Sequence, residues 1–98
     1  MIEITNDMDL VTSTENAVAY FTASWCSPCK QLKPIYAKTG MEDNSHTYFV
    51  IDVDSISPDY LQKYNIQSVP KVFKMKNGTI EKEIISRTSE EILKEVNL

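Results

Sequence analysis

The residues best suited to covalent chemistry in this sequence are two cysteines. Cys26 and Cys29 are separated by Ser27 and Pro28, and the chain of 98 residues contains no other cysteine. An apolar run at 17–23 predicts a strand before them, and a helix-compatible run at 30–38 follows them. Cys26 is therefore expected at the start of a helix, where unpaired N–H groups and the helix dipole stabilise a thiolate.

This placement predicts a thiol pair capable of disulfide exchange. A thiolate at Cys26 would attack a substrate disulfide, and Cys29, one helical turn further in and less exposed, would resolve the mixed disulfide. Pro28 suits the first helical turn, where a missing N–H costs little, and it stiffens the loop between the two sulfurs.

Two other interpretations of the pair have less support. A zinc site normally has four ligands, and the histidine available to complete one is His46, far along the chain in a polar segment. Two inert core cysteines would not require a proline between them or Trp25 before them. We therefore expect no metal site.

Length and composition restrict the class of protein. The chain is expected to form one domain spanning residues 1–98, with 42% apolar residues. A net charge of −4 without a basic cluster disfavours nucleic-acid partners, and two glycines cannot form a glycine-rich phosphate loop. The sequence shows no signal-peptide pattern and no apolar run of membrane-spanning length. Redox chemistry in the cytoplasm, away from membranes, is therefore expected.

Hydrophobic patterning predicts strands and helices in the order β-α-β-α-β-α-β-β-α. The early βαβ units imply parallel strands, whereas Asn77-Gly78 is a strong hairpin signal and implies antiparallel ones. The sequence thus predicts an α/β fold, with a mixed central sheet of about five strands and helices on both faces. The predicted strands cover 2–5, 17–23, 47–54, 69–76 and 79–85.

Capping residues and helix breakers locate the predicted helices. Pro34 lies inside the helix that follows the cysteines and should kink it, and Gly40 is the expected C-terminal cap. The expected N-terminal caps of the other helices are Asn6 or Asp7, Ser57 and the capping box Thr88-Ser89-Glu90-Glu91. The helix residues expected to face the core are Met8, Leu10, Val11, Leu32, Ile35, Tyr36, Leu61, Tyr64, Ile92, Leu93 and Val96.

The stretch Trp25-Cys26-Ser27-Pro28-Cys29-Lys30, followed by Pro34, resembles the thioredoxin family, as do residues 64–70 and 76–78. These segments come in the family's order at matching distances, and the resemblance covers nearly the whole chain. It implies a thioredoxin fold and a thiol–disulfide oxidoreductase that reduces protein disulfides, with Cys26 as nucleophile and Cys29 as resolving thiol. It also implies a monomer that works in electron transport and cell redox homeostasis, with a thioredoxin-reductase-like electron donor and no cofactor beyond its redox-active disulfide.

The resemblance further implies a substrate-docking surface. Pro70 matches a cis-proline that faces the active disulfide, and the backbone of Val69 would pair with an extended substrate strand. Trp25, Val69 and Pro70 would form the apolar part of this surface, and Ser27, Pro28 and Ser86 would also contact substrate. The alternative is that Trp25 is a core aromatic and Pro70 a trans loop proline.

The chain departs from the family pattern near the cysteines. Tyr20 stands where the family has a buried aspartate that is thought to assist proton transfer at the resolving cysteine. Either the Tyr20 hydroxyl, a water or another carboxylate takes that role, or resolution is slower, and simple core packing of Tyr20 is also expected. Ser27 and Ser86 replace glycines, and Lys71 after Pro70 could favour acidic partners or be an ordinary exposed strand lysine.

Two alternatives to a thioredoxin-type reductase stay open at this point. One is a glutaredoxin-like reductase that uses glutathione, although the motif lacks the tyrosine usual in that group. The other is a docking or accessory subunit whose function uses the apolar surface around Trp25 and Pro70 and does not need the dithiol.

Overall fold

Five strands and four helices follow one another in the order that the sequence predicts. The computed structural model describes all residues from Met1 to Leu98. The strands are β1 (Ile2–Ile4), β2 (Asn16–Thr22), β3 (Thr47–Asp52), β4 (Lys71–Lys76) and β5 (Thr79–Glu83). The helices are α1 (Asp9–Thr12), α2 (Ser27–Glu42), α3 (Pro58–Lys63) and α4 (Ser89–Val96). None of the helices combines the length and the apolar character that crossing a bilayer requires.

The strands form one mixed sheet in the order β1-β3-β2-β4-β5. β3 runs parallel to β1 and β2, while β4 runs antiparallel to β2 and β5. Residues 17–21 of the central strand β2 are fully buried, because both faces of the sheet are covered at this point. Asn77 and Gly78 both have positive φ and join β4 to β5, which confirms the predicted hairpin.

Helices cover both faces of the sheet, as the sequence predicts. One core contains Leu32 of α2 and Ile92 of α4, together with both cysteines. The core on the opposite face contains Val11 of α1, with Leu61 of α3 packed against it. The predicted α/β architecture is therefore confirmed, and the cysteines lie at the edge of the first of these cores.

Gly40 does not end α2, so the predicted C-terminal cap is wrong. The helix continues to Glu42, and Asp43 is its C-terminal cap. A Cβ atom on Gly40 would lie 3.2 Å from Cγ of the Tyr48 ring, which is closer than ordinary van der Waals contact. The glycine therefore allows α2 to approach β3 closely and does not terminate the helix.

Other predicted details also change. Leu10 is 50% exposed, because residues two apart on a helix point in nearly opposite directions and the inward face belongs to Met8 and Val11. The predicted cap at Asn6 or Asp7 is wrong, because the N-cap of α1 is Met8, whose side chain makes no cap bond. β4 begins at Lys71 and not at residue 69. The N-terminal caps Ser57 and Thr88 are confirmed by their bonds to the backbone N–H groups of residues 59 and 91.

Candidate active site

The cysteine pair lies where β2 gives way to α2. Cys26 is the N-cap of α2, with extended backbone, and Pro28 occupies the first helical turn. Cys26 and Cys29 form a disulfide with their Cα atoms 5.3 Å apart. The Sγ of Cys26 also accepts a hydrogen bond from the backbone N–H of Cys29 at 3.2 Å. The helix start therefore places the Cys29 N–H and the positive end of the helix dipole beside the Cys26 sulfur, and both favour a negative charge there.

Both sulfur residues are buried, and their neighbour Trp25 is exposed. Cys26 is 5% exposed and Cys29 is 1% exposed. Trp25 is 68% exposed, so it is not a core aromatic. Its indole N–H donates to Oδ2 of Asp54 at 2.9 Å, which holds the ring in place beside the disulfide.

The segment before β4 lies at the same end of the sheet as the cysteines. The Val69–Pro70 peptide bond is cis, as the resemblance implies. Lys71 pairs with Phe21 in the β2–β4 register, so Pro70 adjoins the end of β2 that leads to Cys26. Val69 is half-buried and packs against the core that contains both cysteines.

Ser86 and Lys71 both have partners within the chain. The backbone N–H of Ser86 donates to Oε1 of Glu95 at 3.0 Å, and its hydroxyl donates to the same oxygen. The hydrogen bond from the Ser86 hydroxyl is the main cause that holds the pKa of Glu95 below its usual range. Lys71 Nζ lies 3.4 Å from Oε2 of Glu83 on the neighbouring strand. Lys71 is therefore adequately described as a partly exposed strand lysine with a cross-strand partner.

Tyr20 is a fully buried side chain that contacts the helix carrying the second cysteine. Its hydroxyl donates to the backbone carbonyl of Cys29 at 2.6 Å. Its ring lies 4.9 Å from that of Tyr36, centroid to centroid. Burial raises the pKa of Tyr20, so the hydroxyl stays neutral at ordinary pH. Tyr20 therefore packs in the core, as one of the alternatives predicts. Its hydroxyl proton takes part in the hydrogen bond to the Cys29 carbonyl.

Sequence reasoning missed two carboxylates near the cysteines. Asp52 and Asp54 follow the buried part of β3, and the end of β3 lies beside the end of β2 in the parallel register. Asp54 holds Trp25, and Asp52 lines a cavity of about 260 Å³ that Cys29 also lines. The sequence does contain a signal for them. They follow the predicted strand next to the one that leads to Cys26, and the carboxyl ends of neighbouring parallel strands lie at the same edge of a sheet.

His46 lies at the other end of α2 from the cysteines. Its Nδ1 lies 3.0 Å from Oδ2 of Asp43, the C-terminal cap of that helix. A helix of 16 residues is about 24 Å long, so His46 and the cysteine pair are well separated. The structure therefore does not bring together the ligands that a zinc site would need.

A disulfide between two closely spaced cysteines at the start of a helix, in a mixed sheet of this topology, is an arrangement suited to thiol–disulfide exchange. Comparison with known proteins specifies the family. The family model for thioredoxin matches residues 3–97. The chain belongs to the thioredoxin family.

Individual relatives agree with this assignment. Thioredoxin from Mycoplasmoides gallisepticum is 30% identical over 99 residues, which cover 98% of this chain and 98% of the relative. A crystal structure of Schistosoma mansoni thioredoxin is 26% identical with a TM-score of 0.80, covering 98% of this chain and 92% of the other. A structure of Plasmodium falciparum thioredoxin, at 24% identity and a TM-score of 0.84 over 99% and 97% of the two chains, shows the shared fold.

Some curated relatives are longer than this chain. The match spans 74% of this chain and 61% of Thioredoxin H3 from Arabidopsis thaliana. For Thioredoxin H9 of the same plant, the match spans 81% of this chain and 56% of the relative.

Proposed function

We propose that this chain reduces disulfides in other proteins, with Cys26 as the attacking thiol and Cys29 as the resolving thiol. The observation that best supports these roles is the hydrogen bond at 3.2 Å from the Cys29 N–H to the Cys26 sulfur at the start of α2. In the reduced chain this N–H and the helix dipole stabilise a thiolate on Cys26. The same geometry keeps Cys29 within bonding reach of Cys26.

The reaction transfers two electrons to the substrate in two exchange steps. The Cys26 thiolate attacks one sulfur of the substrate disulfide, and the other substrate sulfur leaves as a thiolate. The Cys29 thiolate then attacks the Cys26 sulfur, and the second substrate thiolate leaves. The substrate gains two electrons and becomes a dithiol, while the chain ends with the Cys26–Cys29 disulfide that the structure contains.

A surface around the disulfide is proposed to hold the substrate. Its apolar part consists of Trp25, Val69 and Pro70, and an extended substrate segment would pair with the backbone at Val69. Ser27 and Pro28 are both exposed beside Cys26 and complete the surface on the helix side. Ser86 also belongs to this set. Its N–H and hydroxyl already donate to Glu95, and its carbonyl accepts from Nη1 of Arg87 at 3.1 Å, so it would contact a substrate mainly through its side-chain carbon.

The reduced state is proposed to come from a thioredoxin-reductase-like protein, and the chain to act as a monomer in the cytoplasm. We infer that residues 1–98 act as one domain in electron transport and cell redox homeostasis. The disulfide serves as the only redox centre, without another cofactor or a metal. Protein disulfides are the substrates, with no role for nucleic acid or membrane.

The test is reduction of insulin disulfides, measured as turbidity of the released chains and as NADPH consumption. One reaction contains thioredoxin reductase and NADPH, and a parallel one contains glutathione, glutathione reductase and NADPH. We expect turnover in the first. The Cys26→Ser variant should lose turnover, and the Cys29→Ser variant should accumulate a mixed disulfide with substrate, visible as a mass increase. Turnover with the glutathione system alone would instead make the chain a glutaredoxin-like reductase.

A docking role that does not need the dithiol makes a different prediction. If the chain acts only by docking, its activity in the cell that produces it would persist in the Cys26→Ser variant. Substitution of Trp25, which belongs to the docking surface, by alanine would abolish that activity. Persistence of activity in Cys26→Ser would overturn the proposed reductase function.

A further inference from the structure

Resolution of the mixed disulfide requires Cys29 to lose its proton in a buried position. Only the thiolate is nucleophilic, and Cys29 is 1% exposed. Tyr20 is the nearest titratable side chain on β2, but its hydroxyl donates to the Cys29 carbonyl and stays neutral. A different group must therefore accept the Cys29 proton before or during the attack.

The cavity beside Cys29 is where such a group can act. It has a volume of about 260 Å³, enough for several water molecules at about 30 Å³ each. Three of the four elements around it contribute charged residues, and β2 contributes the uncharged Thr22. The charged residues are Glu3 from β1, Asp52 from β3, and Lys30 and Lys33 from α2.

Asp52 is the better placed of the two carboxylates. It is the last residue of β3 and pairs in register with Thr22, the last residue of β2, which also lines the cavity. The backbone N–H of Asp54 donates to its Oδ1 at 2.9 Å, which fixes the carboxylate. Glu3 has a 67% exposed side chain, and its carboxylate lies 3.7 Å from Nζ of Lys33.

We propose that Asp52 accepts the proton of Cys29, through water in this cavity, during resolution of the mixed disulfide. The Cys29 S–H bond breaks, its proton passes through water to the Asp52 carboxylate, and the sulfur keeps the electron pair. That thiolate attacks the Cys26 sulfur, and the substrate thiolate leaves with the electrons of the broken S–S bond. Asp52 then returns the proton to solvent or to the leaving thiolate. This role for Asp52 presupposes the proposed function.

The charges around the cavity suit this transfer. Lys30 and Lys33 provide positive charge beside the Cys29 thiolate as it forms. Asp54, which orients Asp52 through its backbone, also holds the Trp25 indole, so one short loop after β3 connects the acceptor to the docking surface.

The first test uses Asp52→Asn, which keeps a side-chain oxygen to accept from the Asp54 N–H. Single-turnover reaction of reduced chain with a peptide disulfide separates attack from resolution, by quenching in acid and mass analysis of the mixed disulfide. We expect resolution to slow by on the order of 100-fold at pH 7, the lower end for a positioned base, with the acid limb of its pH profile removed. Attack by Cys26 should be unchanged. Glu3→Gln, which lines the same cavity, is the matched control and should leave both steps unchanged.

The second test does not depend on turnover. In a Cys26→Ser background, the pH dependence of Cys29 alkylation by iodoacetamide reports the ionisation of this thiol. A carboxylate near Cys29 disfavours the thiolate, so Asp52→Asn should move the alkylation midpoint to lower pH by more than Glu3→Gln does. An unchanged midpoint, or an unchanged resolution rate in a chain that reduces insulin normally, would overturn the role of Asp52. A wild-type chain that does not reduce insulin would instead overturn the proposed function, and Asp52 with it.

Discussion

The buried carboxylate of Asp43 joins the end of α2 to the start of β3, and its removal should cost a large part of the stability of the chain. Asp43 is 7% exposed. Its Oδ1 accepts from the backbone N–H of Ser45 at 2.8 Å, and its Oδ2 accepts from the Tyr48 hydroxyl at 2.7 Å. Nδ1 of His46 lies 3.0 Å from the same Oδ2. The Asp43 carboxylate therefore holds the segment between α2 and β3 in one conformation.

The expected loss in the free energy of unfolding follows from the groups that Asp43→Ala would leave without an acceptor. Tyr48 is 4% exposed and the His46 side chain is 9% exposed, so water cannot readily replace the carboxylate. A hydrogen bond to a charged partner contributes about 1.5–3 kcal/mol, which gives a loss of about 3 kcal/mol or more for the two side chains. For a domain of this size, that loss lowers the Tm by about 12 °C or more.

The pH dependence gives a second signature. Burial alone would raise the pKa of Asp43, but the hydrogen bonds from Ser45 and Tyr48 and the charge of His46 together hold it below its usual value. A carboxyl with a lowered pKa in the folded state stabilises the fold fully above its unfolded pKa of about 4. That stabilisation is lost as the pH falls through the lower, folded value.

The assay is urea unfolding followed by circular dichroism at pH 7, 5 and 3. Wild type and Asp43→Ala should differ by about 3 kcal/mol at pH 7 and 5, and the difference should shrink at pH 3. Asp43→Asn retains an oxygen acceptor and should lie between them at pH 7. Glu81→Ala, on the exposed face of β5, is the control and should match wild type. A loss below about 1 kcal/mol for Asp43→Ala, or a difference that does not change with pH, would refute this account.

Three further variants test other contacts. Gly40→Ala should lower the Tm even though alanine favours helices by about 1 kcal/mol, because its Cβ would meet the Tyr48 ring at 3.2 Å; a raised Tm would contradict the close approach. Tyr20→Phe should cost about 1 kcal/mol in urea unfolding and keep insulin-reducing turnover; loss of most turnover would assign its hydroxyl a role in proton transfer. Asp54→Ala removes the acceptor of the Trp25 indole, so the tryptophan emission should change and KM for a protein disulfide should rise with kcat nearly constant; an unchanged KM would separate Trp25 from substrate binding.

The overall fold could be predicted because its signals are local. The apolar run that becomes β2 is buried on both faces, and a strand with two covered faces must be central. The hairpin at Asn77 and Gly78 needs two residues that tolerate positive φ, and both show it. The cysteine spacing and the proline between the cysteines likewise predict a thiol pair capable of disulfide exchange without knowledge of the tertiary structure.

What the sequence could not supply are the contacts between distant residues. Local rules favour Gly40 as a helix end, whereas the residue that explains the glycine is its neighbour across the core, Tyr48. The partners of Trp25 and Ser86 are Asp54 and Glu95, and both bonds depend on how elements pack and not on local sequence. Such pairs become visible only when the register of strands and helices is known.

The two edges of the sheet have a consequence for behaviour at high concentration. β1 is an edge strand of only three residues, and the opposite edge strand, β5, ends in the charged run Glu81-Lys82-Glu83. A short edge strand offers few unpaired N–H and C=O groups to a second copy of the chain. A charged edge strand would place like charges opposite each other when two copies pair. The molecule should therefore resist edge-to-edge polymerisation at high concentration.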